Sequence, residues 1–546
     1  MKRDIQKELI ALIFKATETL GIKQKDNLPL SLDLPANKNF GDFSTNIAFR
    51  LSPLFKKSAQ EVAELIVENI KRQKQTSPVK NYIAEIKAEG AGFINFYLTN
   101  NYFYDLLKNI FIKDKDALRL NLGKKRPVLV EFVSANPTGP LSVAHARQAV
   151  VGDVLVNILN FLGFFAKREY YLNDEGNQID ILGKSIELRL KELLGEKIEY
   201  PQNYYQGQYI YEIAKEIQNS KSKIQNFSEF GVNYILKIIK NELEEFRVKF
   251  DYWYSQKRLR ESGKIQKTLS FLKKKNLLYE KDGAVWFKSS QFGDDKDRVV
   301  IKSDGSYTYL TPDIAYHQDK FSRGFCWLIN LWGPDHHGYI KRIQGAIQAL
   351  GKKKDSLSII IVQLVSLFKE GRPLKMSTRQ GQYITLREII NEVGVDAARF
   401  FFLMRRTSSH LDFDLELAKK QTPENPVYYI QYAHARIASI LRNSKIKLKV
   451  KDLNLSLLKE KEEIELMKKL GQFSYILNIC LNTLDPYMLT VYSQELAQAF
   501  HKFYDQHRVL GEDEALSKAR LVLIKVTQIV IATILELLNI NAPEKM

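Results

Sequence analysis

The sequence predicts an α/β protein in which a parallel sheet, covered by helices on both faces, is preceded by an α+β domain and followed by an all-helical one. Three observations lead there. Apolar β-rich runs (PVLVEF, REYYL, CWLINLW, LSIIIVQLV) each lead into a polar turn, and the first three are followed by amphipathic helical pattern. The first 115 or so residues instead mix helical periodicity with short β-rich runs. Beyond about residue 405 strand signals fade and helical periodicity takes over. At 546 residues the chain exceeds one ordinary core, and about three or four domains of roughly 150 residues each are expected.

At the N-terminus, QKELIALIFKATETL reads as an amphipathic helix, because Glu8 and Lys15 interrupt the apolar run that a signal peptide would need. SAQEVAELIVENIKR is a second helix, and NYIAEIKAEGAGFINFYL supplies β-rich runs. The helix-breaking, lysine-rich NLGKKRP at 121–127 marks a border. We therefore expect an α+β domain over 1–115, a sheet domain over 116–405 with a polar, partly helical insertion at about 190–300, and a helical domain over 406–546. In LVLIKVTQIVIATILELL, Lys525, Gln528 and Glu536 suit a buried bundle helix better than a membrane span.

Hydrophobic residues at 45% and charged residues at 27% are ordinary for a soluble globular protein. The net charge of +19 is not, and its field attracts polyanions in a salt-sensitive way, although solvated lysines of a basic proteome fit as well. Cys326 and Cys480, the only cysteines, are too few for a disulfide framework or a zinc ribbon and fit a reducing cytoplasm.

Four stretches carry chemistry. In EFVSANPTGPLSVAHAR (131–147), a strand enters a turn stiffened by Pro137, Gly139 and Pro140, and a helix begins near Ser142 with His145 in its first turn. Unpaired N–H groups and the helix dipole favour an anion there, though a plain capped connection fits the same residues. GRPLKMSTRQGQYITL (371–386) places Lys375, Ser377 and Arg379 in a basic loop able to close over phosphates; alone it would read as a solvated turn. Asp335, His336 and His337 could ligate a metal, but companion motifs of a metal-dependent phosphoesterase are not apparent. In NPVYYIQYAHARI (425–437), Tyr428, Tyr429, Tyr432 and Arg436 serve either as core or as a stacking surface for unpaired bases.

Together the first two stretches resemble the paired signatures of class I aminoacyl-tRNA synthetases: the HIGH region, here SVAH at 142–145, and the KMSKS loop, here KMSTR at 375–379. Adding FGDFSTNIAF, GAGFINFYL, YLNDEGNQI, the block GDDKDRVVIKSDGSYTYLTPDIAYH, LWGPDHHGYIKRIQGAIQALG and the ending APEKM, the ordered series is similar, almost end to end, to bacterial arginyl-tRNA synthetases. That resemblance implies a Rossmann-like catalytic domain, an N-terminal tRNA-binding domain and a C-terminal anticodon-binding domain. It implies ATP-dependent ligation of L-arginine to tRNA(Arg) through an arginyl adenylate, releasing AMP and diphosphate, with Mg2+ carried by ATP and no protein-ligated metal. A cytoplasmic monomer with no membrane association is the family expectation.

The resemblance also implies roles. Pro137, Thr138, Gly139, Pro140, Ser142, Ala144 and His145 would hold ATP, with Lys375, Met376, Ser377, Thr378 and Arg379 as the closing loop and His145, Lys375 and Arg379 as catalytic groups. Glu131, Asn136, Tyr309 and Asp313 would surround the amino acid, the carboxylates and the tyrosine mainly at the guanidinium end. Carboxylates suit that end because they accept the parallel N–H bonds of a planar cation. Thr311 and Pro312 look like the N-cap and first residue of the helix carrying Asp313. Asp335, His336 and His337 would lie on the nucleotide side, and Tyr428, Tyr429, Tyr432 and Arg436 against the anticodon.

Three positions depart from the signatures: Ser142 for the first histidine, Ala144 for glycine and Thr378 for the second lysine. Arg379, Lys124 or Lys125 is expected to supply the missing charge. The altered SVAH also leaves a second reading, a tRNA-binding relative with impaired catalysis.

Overall fold

The computed structural model describes residues 5–22, 30–220, 224–374 and 383–546. In the first helix, Ile5–Thr19, the face made by Leu9, Leu12, Ile13 and Ala16 is buried, as its periodicity predicts. Strands β1 (Phe43–Thr45), β2 (Ile83–Glu89) and β3 (Phe93–Leu98) form an antiparallel sheet in the order β1-β3-β2. Between β1 and β2, Ser58 and Glu61 bond reciprocally (Ser58 N–H to Glu61 Oε2, 2.8 Å; Glu61 N–H to Ser58 Oγ, 3.2 Å) and start the helix Ala59–Lys74.

The central sheet follows. Its strands are β4 (Pro127–Glu131), β5 (Phe165–Leu172) and β6 (Tyr252–Ser255), then, after a separate antiparallel sheet of β7 (Leu278–Lys281), β8 (Ala284–Phe287) and β9 (Arg298–Ile301), β10 (Trp327–Trp332) and β11 (Leu357–Ile361). All five central strands are parallel, in the order β11-β10-β4-β5-β6. The chain winds from β4 toward one edge and then crosses to the other side of β4, so the order reverses between β4 and β10. Ligands of open α/β sheets bind at such a switch point, outside the carboxyl ends of the strands. β6 lies inside the stretch that the sequence reads as an insertion; at the sheet edge and four residues long, its apolar run is only Tyr252, Trp253 and Tyr254.

A small sheet of β12 (Val365–Lys369), β13 (Arg372–Pro373) and β14 (Leu411–Asp414) joins the central sheet to the helical region, so one strand does lie beyond residue 405. The helices Pro426–Asn443, Lys461–Gly471, Phe473–Thr483, Tyr487–Gln506 and Glu514–Leu537 then pack together. The last is buried nearly all round, and each enclosed Leu, Ile or Val contributes about 1.5–3 kcal/mol. No helix among the described residues is long and apolar enough to cross a membrane.

One buried carboxylate ties the layers together. Asp153, on the helix Val143–Phe161, receives Arg168 of β5 (2.9 Å), Arg399 (2.5 Å) and the side-chain amide of Asn539 (2.8 Å), while Arg399 also donates to the Leu538 carbonyl (2.8 Å). The C-terminal segment is thereby fastened to the central helix of the sheet domain.

Candidate active site

The segment leaving β4 is built under strain. The Ser134 N–H bonds the Phe132 carbonyl at 2.9 Å across Val133, whose φ of +66° makes a three-residue turn that a β-branched residue rarely adopts; Ser134 follows at +42°. Such strain costs about 1–3 kcal/mol per residue and persists only where neighbours impose it. Here the buried Tyr170 hydroxyl donates to the Ala135 carbonyl (2.9 Å), and Ser134 Oγ accepts the Tyr171 N–H (3.0 Å). Farther on, Tyr209 donates to the Thr138 carbonyl (2.8 Å) and Tyr383 to the Pro140 carbonyl (3.1 Å). Any side chain at Gly139 would lie 3.2 Å from both phenol oxygens.

Ser142 is the N-cap of the helix Val143–Phe161, as its sequence predicts. Its backbone N–H donates to His145 Nδ1 at 3.2 Å, and its Oγ lies 3.1 Å from the same nitrogen. Nδ1 is therefore an acceptor, and the ring proton resides on Nε2. Burial pushes the imidazole down to about 4, so His145 is a neutral N–H donor at physiological pH. Ala144 sits within the helix and outside the positive-φ region, so its methyl group adds no backbone strain. The helix is anchored by Arg147, fully buried, which donates to the carbonyls of Gln363 (2.8 Å), Arg406 (2.9 Å) and Ser409 (2.9 Å).

Lys375, Met376, Ser377, Thr378 and Arg379 lie outside the described residues, but both flanks are placed. On one side Leu374 N–H bonds the Leu367 carbonyl (2.8 Å); on the other, Val143 N–H bonds Ile384 O (3.1 Å) and Leu386 N–H bonds Leu141 O (2.8 Å). The segment after the loop is thus stitched to the helix start at 142–145. Lys124 and Lys125 are a different matter. They occupy a turn before β4 (φ +44° and +59°), at the amino edge of the sheet, whereas Glu131 and the helix start lie at its carboxyl edge. Strand β4, five residues at about 3.3 Å each, runs from their turn to Glu131 at its far end, so the expectation that either supplies the missing charge is corrected.

The acidic pocket lies at the switch point. Glu131, 7% exposed, ends β4 opposite Asn330 of β10. Its Oε2 accepts the Lys320 ammonium and its Oε1 a hydrogen bond from Ser134 (3.2 Å). Lys320 and Asp313 both belong to the helix Leu310–Ser322, whose N-cap is Tyr309 rather than Thr311; Thr311 is buried and donates to the Val300 carbonyl (2.5 Å). Asp313 falls in the first turn, and Tyr339 donates to its Oδ2 at 2.6 Å. Burial, with the nearby Glu131 charge, pushes the Asp313 carboxyl up to about 7. Burial and the Asp313 charge hold the Tyr339 phenol far above its usual range.

The sequence reading misses several partners here. His317, one turn beyond Asp313, has Nδ1 2.8 Å from the Asp313 carbonyl and Nε2 2.9 Å from the Asn330 amide nitrogen, and burial takes it down to about 3, so it is neutral. Asn330 Oδ1 faces Lys320 Nζ at 3.3 Å. Glu169 of β5, fully buried, is held by Arg323 through two bonds (2.5 and 2.9 Å) and by the Tyr316 hydroxyl (2.6 Å). The spacing of Asp313, His317 and Lys320 at helical intervals is the signal that places all three on one face.

Other expected site residues are placed as follows. Asn136, from the turn after β4, donates to Gln178 Oε1 (2.6 Å). Tyr309 is 86% exposed. Asp335, His336 and His337 lie on the exposed turn Pro334–Tyr339, with His336 Nε2 3.4 Å from Asp335 Oδ2. Among the described residues no group of three or more His, Cys, Asp or Glu side chains is arranged to hold a metal ion. On the helix Pro426–Asn443, the half-exposed Tyr428 and Tyr432 rings stack 6.4 Å apart, Tyr429 lies 4.5 Å from His501, and Arg436 stands over Tyr432 (5.9 Å) and Tyr504 (5.1 Å).

A doubly wound sheet whose switch point joins a helix start bearing a neutral imidazole donor to a pair of enclosed carboxylates has the architecture of a class I aminoacyl-tRNA synthetase. At the level of fold alone, the chain matches a Mycobacterium tuberculosis methionyl-tRNA synthetase bound to methionyl-adenylate, with a TM-score of 0.55 at 10% identity over 76% of this chain and 91% of that one. It matches Thermus thermophilus arginyl-tRNA synthetase with a TM-score of 0.79 at 20% identity over 99% and 100%. Family models match as the arginyl-tRNA synthetase N-terminal domain (residues 1–98), the class I (R) tRNA synthetase catalytic domain (106–406) and the DALR anticodon-binding domain (430–546). Similar curated proteins include arginine–tRNA ligase 1 of Halalkalibacterium halodurans (44% identical, covering 100% of this chain and 99% of that one) and arginine–tRNA ligase of Geobacillus thermodenitrificans (46%, with the same coverage). The chain belongs to the arginyl-tRNA synthetase family.

Proposed function

We infer that this chain ligates L-arginine to tRNA(Arg) in two steps. An arginine carboxylate oxygen attacks the α-phosphorus of ATP and diphosphate leaves; the terminal ribose hydroxyl of tRNA then attacks the acyl carbon of the arginyl adenylate and AMP leaves. The nucleophile of the first step is already anionic, so alignment and charge stabilisation dominate. The observation that carries the reading is Asp313: a half-buried carboxylate with no paired cation among the described residues, at the carboxyl edge of the sheet that also carries the His145 helix start.

In this reading Asp313 takes the guanidinium, Glu131 presents Oε1 to it, and Asn136 lies nearer the α-amino group. Tyr309 swings from solvent to cover the side chain. The open helix N-terminus and the His145 Nε2–H meet the phosphates, and Ser142, its hydroxyl engaged with the imidazole, orients that ring rather than contacting nucleotide. Lys375 and Arg379 close from the loop, Arg379 standing in for the lysine that Thr378 replaces. ATP enters as its magnesium complex, so the ion is part of the substrate.

We assign residues 1–115 to tRNA binding, 116–405 to catalysis and 406–546 to the anticodon, where a tyrosine of 428–432 stacks a base beside Arg436. A monomer in the cytoplasm completes the reading. The impaired-binder alternative loses its motive, because Ser142 and Ala144 leave the helix start and the imidazole donor intact. Transfer of labelled arginine to total tRNA with ATP tests the function; no product above a control lacking the protein, with tRNA binding intact, contradicts it.

A further inference from the structure

Three buried carboxylates around the switch point are each matched by a cation. Glu169 has Arg323, Asp319 has Lys264 at 2.6 Å, and Glu131 has Lys320. The half-buried Asp313 accepts the neutral Tyr339 hydroxyl and has no paired cation among the described residues. Lys320 is 1% exposed, and a buried ammonium requires acceptors for its three N–H groups. It finds them in Glu131 Oε2, in Asn330 Oδ1 and in the face of Tyr316, 4.1 Å from its nitrogen. The lysine is therefore built into the pocket wall, with nothing of it left to contact solvent.

The groups facing Asp313 are few. From β4 comes Glu131; from the same helix, His317, which is neutral, and Lys320; from β5, the Tyr171 phenol, raised by burial and by Asp313; and from the turn 334–339, Tyr339, over whose ring Arg342 stands at 5.0 Å. With Glu131 neutralised by Lys320, the pocket keeps one negative charge. A guanidinium carries one positive charge.

We propose that Lys320 is a specificity-determining positioning residue: it neutralises Glu131 internally, so that Glu131 offers geometry and Asp313 alone offers the charge that one guanidinium cancels. Without it, two carboxylates would share the site, and close like charges hold a proton between them at neutral pH. The proton would have to leave before arginine binds. Lys320 thus keeps Asp313 ionised to a lower pH than two unpaired carboxylates would allow. The inference rests on the reading of this pocket as the arginine site.

The test is calorimetric binding to the full-length chain between pH 6 and 9, with arginine and its neutral isostere citrulline, together with KM and kcat for arginylation. Wild type should bind arginine at least about 100-fold tighter than citrulline; equal binding of the two would overturn the pocket reading itself. Given that preference, Lys320→Met should weaken arginine about tenfold or more at pH 7 and move the pH below which affinity falls up by about one unit, raising KM more than it lowers kcat. Glu131→Gln/Lys320→Met removes both charges and should return that pH to the wild-type value. A Lys320→Met protein that loses thermal stability but keeps the wild-type pH dependence, or a double variant as shifted as the single one, would overturn the proposal. If Lys320→Met alone does not fold, the double variant decides: a wild-type pH midpoint supports the charge balance, and a shifted one refutes it.

Discussion

With Asp313 as the proposed guanidinium partner, arginine binding becomes a titration. With its carboxyl pushed up to about 7 by burial, the ligand-free pocket is largely ionised at pH 8 and about one-tenth ionised at pH 6. A guanidinium binds the ionised form and pulls the carboxyl back down, so binding below pH 7 must expel a proton. Affinity is then full above the raised pKa and lost as pH falls through it, by about tenfold between pH 8 and pH 6, or about 1.4 kcal/mol. Neither neighbour supplies this change, because His145 and His317, down at about 4 and 3, stay neutral throughout. The same raised carboxyl means that ionised Asp313 costs the ligand-free fold stability as pH rises toward 7, and arginine relieves the cost. Calorimetry at the two pH values, in buffers of different ionisation enthalpy, reads both affinity and proton release. Asp313→Asn should bind weakly and without pH dependence. Arginine affinity in the wild type that is flat from pH 6 to 8, with no proton released at pH 6, would refute the reasoning.

Other expectations follow from the same geometry. His145→Ala removes a neutral donor at the helix start and should lower kcat about 100-fold or more with little change in the arginine KM, while wild-type kcat shows no imidazole titration between pH 6 and 8; single-turnover adenylation measures both. Lys124→Asn/Lys125→Gly relieves two positive-φ lysines in an exposed turn at the far edge of the sheet, and should stabilise the fold by about 1–2 kcal/mol in denaturant titration without altering kcat. Asp153→Ala leaves Arg399 buried without its carboxylate and should cost about 3–5 kcal/mol in the same titration. Arg436→Ala should raise the KM for tRNA and leave arginine binding untouched, which filter binding and calorimetry separate.

The central strands β4 and β10, buried on both faces, announce themselves as apolar runs, and β11, though at an edge, is legible from its run of isoleucines. β6 is not, because its run is only the three aromatics of YWYS, inside an otherwise polar, helical stretch. Glu131 and Ser142 are legible because a strand end and a helix cap have local signatures. Lys320 is not: a lysine on an amphipathic helix normally reads as solvated, and only the fold brings it under Glu131. Tyr309, expected at the guanidinium end, is 86% exposed, a placement that no local sequence pattern distinguishes from burial. Lys124 and Lys125 were close to β4 in sequence but lie at its wrong end, a distinction that strand direction makes and spacing does not.

The most direct test of the account is ATP-dependent transfer of labelled arginine to tRNA by the wild-type chain and by Asp313→Asn, each confirmed as folded. The account predicts arginyl-tRNA from the wild type, none with citrulline in place of arginine, and a loss of at least about 100-fold in kcat/KM for the variant. Absence of arginyl-tRNA from the folded wild type, or full activity in Asp313→Asn, would contradict it.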